Sequence, residues 1–140
     1  MHVTARVDNA LRVMLTLGQA DPHPVPVTEL ADTFGVSYSY LLAVVKDLRH
    51  AGLVHHTRGH DGGVQLAKPP TDITLDQIIW ATDGPLTLND GTQTDAEPAD
   101  YLRTLWSAAH RAMLEVFSQV RLTDAIRHLP NTVARHPKAS

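Results

Sequence analysis

The chain has 140 residues, of which 43% are hydrophobic and 19% charged, and its formal net charge is -3. This length fits one compact domain or one domain with an extension, and the hydrophobic fraction excludes a chain that is disordered throughout. Because the sequence contains no cysteine, it excludes disulfides, thiolate zinc sites, thiol nucleophiles and cysteine-ligated iron–sulfur clusters.

The first part of the chain contains three helical patterns in succession. Apolar residues three and four apart predict a first helix over residues 3–17, with Gly18 as its end. The prolines that follow exclude a continuous helix, and a second helix is predicted over residues 28–34. Ser37 is a good N-cap for a third helix over residues 38–50.

A β-hairpin is predicted directly after the third helix. Residues 53–57 and 64–66 are β-prone, and the glycine-rich segment 58–63 between them has the composition of a turn. The second and third helices are joined by the short turn 35–37. This order of elements predicts a winged helix-turn-helix, in which the hairpin is the wing.

The second half is predicted to be helical with an acidic interruption. Thr74 and Gln77 form a capping-box pattern at the start of a short helix. A polar, acidic loop is expected over residues 83–97, then a long helix over 98–120 and a short helical turn over 123–128. The predicted divisions are a winged helix-turn-helix domain over 1–82, the acidic loop over 83–97, the long and terminal helices over 98–129, and a flexible tail over 130–140. The predicted fold class is therefore mainly α with a small β-hairpin.

Apolar residues in the long helix recur three and four positions apart. They predict a narrow seam that is covered by another helix, either from this chain or from a second copy. A second copy is plausible in so short a chain. The predicted dimerisation residues are Leu102, Leu105, Trp106, Ala109, Met113, Val116, Phe117 and Val120. Trp80 and Trp106 are expected in the core rather than in a ligand site.

The acidic average of the chain hides an uneven distribution. Residues 1–70 carry six basic and six acidic residues, whereas residues 71–140 carry six basic and nine acidic residues. The segment from Lys46 to Lys68 holds four basic residues against two acidic ones. A nucleic-acid-binding region in the first half is therefore compatible with the net negative charge.

The helix after the turn is the expected reading helix, because a helix-turn-helix presents the N-terminus of its second helix to the major groove. Its first residues are polar and compact, and its later basic residues are placed to meet phosphates. Arg58 at the hairpin tip is suited to a narrow minor groove, with His60 beside it. The candidate DNA-binding residues on this reasoning are Ser37, Tyr38, Ser39, Lys46, Arg49, Arg58 and His60. Ser37 could instead serve only as a helix cap, and Lys46 and Arg49 could be an ordinary solvated face.

Four short runs of the sequence are distinctive: VSYSYL at 36–41, LRHAGLV at 48–54, RGHDGG at 58–63 and ITLDQI at 73–78. In this order and spacing they resemble the Rrf2 family of bacterial transcription regulators, with weaker likeness at 3–12 and 122–125. The resemblance implies a DNA-binding regulator, a repressor in our interpretation, that forms a homodimer through the long helix and binds a palindromic operator. By position it assigns DNA-facing roles to Thr4, Ser37, Tyr38, Ser39, Tyr40, Lys46 and Arg58.

The sequence departs from the family in two places. Iron–sulfur members carry three cysteines in the loop before the long helix, and the matching loop here has none. Its acidic residues lack the regular oxygen-ligand spacing of a calcium motif, so neither a cofactor nor a metal site is predicted. Leu42 and Ala43 also stand where some cluster-containing members have polar base-reading side chains, and the operator sequence therefore cannot be inferred by analogy.

Other classes of function remain as alternatives. An enzyme is not predicted, because the only candidate groups are histidines, and the adjacent His55 and His56 point to opposite faces of a strand. A winged helix that binds protein is compatible with the acidic balance. A sensor with histidine or carboxylate ligands is another alternative, with His110 beside the seam or a pocket between the two tryptophans receiving an unknown small-molecule effector.

Membrane insertion and export are not expected. The longest apolar run covers residues 41–45, whereas a membrane span needs roughly 18 apolar residues. The first residues also lack the basic and apolar pattern of a signal peptide. We therefore expect a soluble, cytoplasmic protein without a membrane partner.

Overall fold

The structure is a computed structural model that describes residues 3–84 and 97–128, with only the backbone for residues 97–99. Its elements in chain order are α1 (Ala5–Ala20), α2 (Val27–Phe34), α3 (Tyr38–His50), β1 (Val54–Thr57), β2 (Gly63–Leu66), a 3₁₀ turn (Pro70–Asp72), α4 (Leu75–Asp83), α5 (Glu97–Ser118) and α6 (Leu122–Arg127). The prediction of a mainly helical fold with an antiparallel hairpin is confirmed. Both ends of the predicted acidic loop are helical, and its remainder, like the predicted tail, lies outside the described residues.

Helix α1 begins and ends later than predicted. The Thr4 hydroxyl caps it by accepting a hydrogen bond from the Val7 backbone N–H at 3.2 Å. The prediction that Gly18 ends the helix is wrong, because the helix continues to Ala20. A Cβ at Gly18 would overlap the side chain of Ile126 in α6. The glycine therefore permits close packing of two helices rather than terminating one of them.

Helices α2 and α3 meet at a tight turn that depends on Gly35. This residue has φ 67°, a left-handed conformation that favours glycine, and its N–H donates to the Asp32 carbonyl at 3.3 Å. Ser37 caps α3 as predicted, since its hydroxyl oxygen accepts a hydrogen bond from the Tyr40 N–H at 3.2 Å. Helix α3 has the predicted bounds, and α2 begins one residue early, at Val27.

The hairpin is tied to the chain between α1 and α2. Strands β1 and β2 pair antiparallel along their whole lengths. Val25 bridges Val64 through two backbone hydrogen bonds of 2.8 Å, one in each direction. The sequence analysis missed this bridge because Val25 lies between two prolines, a context typical of loops. The bridge holds the wing against the helical body.

The start of α4 is hydrogen-bonded to the short segment between α5 and α6. Gln77 caps the start of α4 as predicted, with its carboxamide oxygen accepting the Thr74 backbone N–H at 3.4 Å. Helix α5 ends at Ser118, two residues before the predicted end. Val120 lies outside the long helix, contrary to prediction. Its carbonyl accepts a hydrogen bond from the Leu75 N–H at 3.0 Å instead of one within a helix.

No described helix is both long and apolar enough to cross a membrane.

Neither tryptophan lies in the core of this chain. This corrects the expectation for Trp80, whereas Trp106 is also a predicted dimerisation residue, and that assignment stays a prediction. Trp80 is 52% exposed and Trp106 is 51% exposed. In α4 the buried positions are Ile78 and Ile79, so the next residue along the helix faces outward. The helical spacing of apolar residues could not predict whether these side chains are buried, since an aromatic residue at the margin of an apolar face fits either a buried or an exposed position.

One apolar core joins the helices and the wing. Helix α1 lies at its centre and packs against α3, α4, α6 and β2. The core residues with no exposed surface are Ala10, Val13, Met14, Leu41, Val44, Val45, Leu48, Val64, Ile73, Ile78 and Leu122. The wing and the reading helix are therefore held by the same packed interior.

We predict that Gly63→Ala destabilises the folded protein. A Cβ there would lie 2.5 Å from the Val25 carbonyl carbon and oxygen, which are backbone atoms that cannot rotate away. The expected loss is about 1–3 kcal/mol of unfolding free energy, measured by urea denaturation at one protein concentration. The control Gln65→Ala, on the same strand, should stay within about 0.5 kcal/mol of the wild type. A Gly63→Ala protein of wild-type stability would contradict this close approach.

Candidate nucleic-acid interface

The first turn of α3 presents small polar side chains to solvent. Ser37, Tyr38 and Ser39 are all exposed, Tyr38 by 50%. The Ser37 hydroxyl is engaged as the helix cap, so the structural role that the sequence suggested for it is present. The first backbone N–H groups of a helix have no carbonyl partner in that helix, and together with the helix dipole they favour a phosphate.

Tyr40 is placed differently from its neighbours. It is half-buried against the core. Its hydroxyl oxygen accepts a hydrogen bond from the Asn9 side-chain amide at 3.5 Å, and the same amide donates to the Ala5 carbonyl at 2.9 Å. Tyr40 therefore links α3 to α1, and its assignment as a DNA contact remains a prediction.

The outward face of α3 combines two apolar and two basic side chains. Leu42, Ala43, Lys46 and Arg49 are all exposed, and their spacing places them on one side of the helix. This face lies opposite the buried residues of α3. Leu42, which is 37% exposed, can contact a thymine methyl group. The sequence alone does not assign this role, because an apolar residue in a helix can equally be a packing residue.

The acidic residue of α3 is neutralised by a partner on another helix. The Arg6 guanidinium in α1 donates to the Asp47 carboxylate, with Nε to Oδ2 at 2.9 Å and a second contact through Nη2. Both side chains are partly buried. Lys46 and Arg49 therefore stand on α3 beside a carboxylate whose charge is already balanced. Sequence reasoning missed this pair because the two residues are far apart along the chain.

The hairpin tip carries three exposed charged or titratable side chains, those of Arg58, His60 and Asp61. Arg58 follows the end of β1, and His60 lies in the turn itself. Gly59 has φ 116°, and the Gly62 N–H donates to its carbonyl at 3.0 Å, which closes the tip. The tip is narrow because these turn residues carry no side chains. Arg58 is thus presented at a slender edge of the molecule.

Thr4 has local partners at the start of α1. Besides capping the helix, its hydroxyl lies 3.5 Å from Asp83 Oδ1, to which it donates. This bond joins the start of α1 to the end of α4. Thr4 is exposed, and its assignment as a DNA contact remains a prediction.

The histidines do not form a metal site in the described part of the chain. Across residues 3–84 and 97–128, no three His, Asp or Glu side chains converge as metal ligands. His55 and Gln65 meet on the outer face of the wing, with their Nε2 atoms 2.7 Å apart. His110 is half-buried in α5, and no described residue forms a hydrogen bond with its ring nitrogens.

Helix α5 carries an apolar stripe that the described residues 3–84 and 97–128 leave largely uncovered. Leu102, Leu105 and Trp106 are each 51% exposed, and Val116 is 66% exposed. Of the other predicted dimerisation residues in α5, Ala109 is exposed, whereas Met113 and Phe117 are half-buried. Tyr101, 70% exposed, extends the stripe and was missed by the sequence analysis. It lies one turn before Leu105, a spacing that could have identified it.

A comparison with protein families and curated proteins finds close relatives. The family model Rrf2, described as an iron-dependent transcriptional regulator, matches residues 3–128. The transcriptional regulator NsrR of Shouchella clausii is 31% identical over 132 residues, which cover 90% of this chain and 89% of the relative. The regulator CymR of Bacillus subtilis is 33% identical over 125 residues, with 89% and 88% covered.

Solved structures show the same fold. CymR, the global cysteine regulator of B. subtilis, superposes with a TM-score of 0.74 at 30% identity, covering 93% of this chain and 99% of that one. IscR of T. potens superposes with a TM-score of 0.71 at 27% identity, covering 91% and 87%.

The iron in the family description raises the question of ligands. This chain contains no cysteine at any of its 140 positions, so it has no ligands for a cysteine-ligated iron–sulfur cluster. The predicted departure from the iron–sulfur members therefore holds for the whole sequence. The fold, the helix-turn-helix with its wing and the match over residues 3–128 agree with one another: the chain belongs to the Rrf2 family of transcriptional regulators.

Proposed function

We propose that this protein binds a palindromic operator as a homodimer and represses transcription, with α3 in the major groove and the hairpin in the minor groove of each half-site. The observation that carries this proposal is the outward face of α3. There, Lys46 and Arg49 are exposed while Asp47 is paired with Arg6. The helix thus offers positive charge to phosphates without an opposing free carboxylate.

The wing supports a second contact with each half-site. Arg58 stands exposed at the start of a glycine-rich hairpin tip. A narrow minor groove concentrates negative potential and attracts arginine. The Val25–Val64 bridge and the shared core tie the base of the wing to the helical body that also holds α3.

The exposed stripe on α5 supports the homodimer. Apolar side chains that are half or more exposed along several turns of one helix are costly in water unless another surface covers them. A second copy offers the same stripe, and a two-fold pairing of identical stripes is self-complementary. Two reading helices related by a two-fold axis require a palindromic site. Occupying such a site within a promoter would block polymerase without any further activity, and this is the reason that we propose repression.

We predict that Ser37→Asp lowers DNA affinity and keeps the helix cap. Aspartate is an N-cap as good as serine, but its charge would repel a phosphate at this turn. The operator would first be selected from genomic fragments with the purified protein. Fluorescence anisotropy with that duplex should then show affinity weaker by about tenfold or more.

The neutral cap Ser37→Asn is the matched control for this change. Both variants should have the melting temperature of the wild type, because both retain a side-chain acceptor for the Tyr40 N–H. If Ser37→Asp bound the operator as well as Ser37→Asn, Ser37 would be a structural cap away from the DNA.

We predict that Arg58→Ala weakens operator binding by about tenfold and reduces the slope of log affinity against log salt by about two, because the dimer loses one cation in each of two half-sites. The change removes one cation from the minor groove of each half-site. The measurement is anisotropy at several salt concentrations. Arg127→Ala, at the end of α6, is the control and should leave both values unchanged. If Arg58→Ala and Arg127→Ala changed affinity and salt slope equally, Arg58 would contribute only through the net charge of the protein and not through a contact with the minor groove.

We predict that Leu105→Glu disrupts the dimer. A carboxylate at the centre of the stripe would be buried without a partner when two copies meet. Analytical ultracentrifugation should show monomers at concentrations where the wild type is dimeric, while circular dichroism retains the helical signal. Ser107→Glu adds the same charge to an exposed position on another side of α5 and should remain dimeric. Dimers of unchanged affinity in Leu105→Glu would contradict the proposed interface.

A further inference from the structure

A pocket of about 360 Å³, open to solvent on one side, lies where the end of the reading helix, the wing, α4 and α5 meet; we call it the cavity. Its volume is in the range of small-molecule sites, roughly 300–1,000 Å³. The described residues that line it are Ala51, Leu53, Lys68, Asp76, Gln77, Trp80 and Leu114. They come from the end of α3, the two ends of the wing, α4 and α5.

The lining combines an apolar wall with two opposite charges. Leu53 is buried, and Trp80 turns a half-exposed indole toward solvent. Lys68 and Asp76 bring an ammonium and a carboxylate to the same cavity, and neither forms an ion pair within the described part of the chain. The Thr74 hydroxyl donates to the Asp76 carboxylate and helps to orient it.

Gln77 adds a neutral polar group to this set. Its carboxamide oxygen is used by the Thr74 backbone N–H. Its NH₂ group is the remaining donor and can bond to an anionic ligand oxygen together with Lys68. The polar groups thus comprise donors suited to a carboxylate and one acceptor suited to an ammonium.

We propose that this cavity is an effector site for a free α-amino acid with an apolar side chain. The ligand carboxylate would meet Lys68 and Gln77, its ammonium would meet Asp76, and its side chain would lie against Trp80, Leu53 and Leu114. Such a ligand satisfies both charges at once, which neither an apolar molecule nor a simple anion does. This inference rests on the proposed function as a DNA-binding regulator.

The position of the cavity connects its ligand to both DNA-facing elements. Ala51 directly follows α3, Leu53 directly precedes β1, and Lys68 lies two residues after β2. A ligand held between these residues and α4 would therefore bias the angle between the reading helix and the wing. Binding shifts an equilibrium to the extent that the two conformations hold the ligand differently.

A second copy of the chain that covered the cavity with its apolar stripe explains the lining less well. The stripe residues Leu102, Leu105, Trp106 and Val116 are uncharged, so they would bury Lys68 and Asp76 without pairing either charge, which is unfavourable. A small zwitterion supplies both charges. The charges of the lining thus favour the amino acid as the occupant.

The test begins with operator binding in the absence of any amino acid, since failure at that step would count against the proposed function and not against the cavity. Leucine, isoleucine, valine, methionine and phenylalanine are then titrated into the full-length protein by isothermal calorimetry. N-acetyl-L-leucine lacks the ammonium and L-leucine methyl ester lacks the carboxylate. We expect at least one of the five amino acids to bind, and leucine analogues that lack either charge to bind about tenfold or more weakly than leucine.

Variants of the lining then locate the site. Lys68→Gln and Asp76→Asn should each weaken binding of the amino acid by about tenfold or more. Asp72→Asn, which removes a neighbouring exposed carboxylate on the 3₁₀ turn, should leave it unchanged. Circular dichroism melts establish that each variant is folded. The bound amino acid should also change operator affinity, by about fivefold or more.

Three results would overturn this inference while operator binding stays intact. The first is that none of the five amino acids binds. The second is that binding is the same in Lys68→Gln, Asp76→Asn and the wild type, which would place the ligand elsewhere. The third is that binding leaves operator affinity unchanged, which would exclude an effector role.

Discussion

The burial of α1 is the constraint on which the rest of the structure depends. Its apolar face contacts α3, α4, α6 and β2, so the DNA-facing elements and the C-terminal helices share one central support. Three of its polar residues extend this role beyond the core. Arg6 pairs with Asp47, Asn9 bonds to the Tyr40 hydroxyl and Thr4 reaches Asp83. The orientation of α3 is therefore fixed from its inner face, and its outer face is left for a ligand.

The charge of the interface follows from pairing rather than from composition. The chain is acidic on average, with a formal net charge of -3, and the α3 sequence alone contains a carboxylate between its two basic residues. Because Arg6 neutralises Asp47, the free charges on that helix are cationic. A net charge describes the whole molecule, whereas binding responds to the potential at one surface. The main effect of the Arg6–Asp47 ion pair is therefore to remove negative potential from this surface, because a partly exposed ion pair adds little to the free energy of unfolding.

The sequence predicted features that depend on neighbouring residues. The Ser37 cap, the turn at Gly35 and the capping box at Thr74 involve residues within a few positions of each other, and all three are present. The features that it missed depend on distant segments. Gly18 resembles a helix end unless the packing of α6 is known, and the bridge of Val25 is hidden by prolines. In the candidate interface, likewise, exposed polar residues were predictable, whereas the neutralisation of Asp47 was not.

The absence of cysteine separates this chain from the iron–sulfur members of its family. If the protein responds to an effector, other residues must bind it. The cavity beside Trp80 borders the end of α3 and both ends of the wing. A ligand there needs no long chain of contacts to alter the reading surface, because it would touch the segments that hold that surface in place. The effector site that we propose would therefore act directly on the segments that hold α3 and the wing.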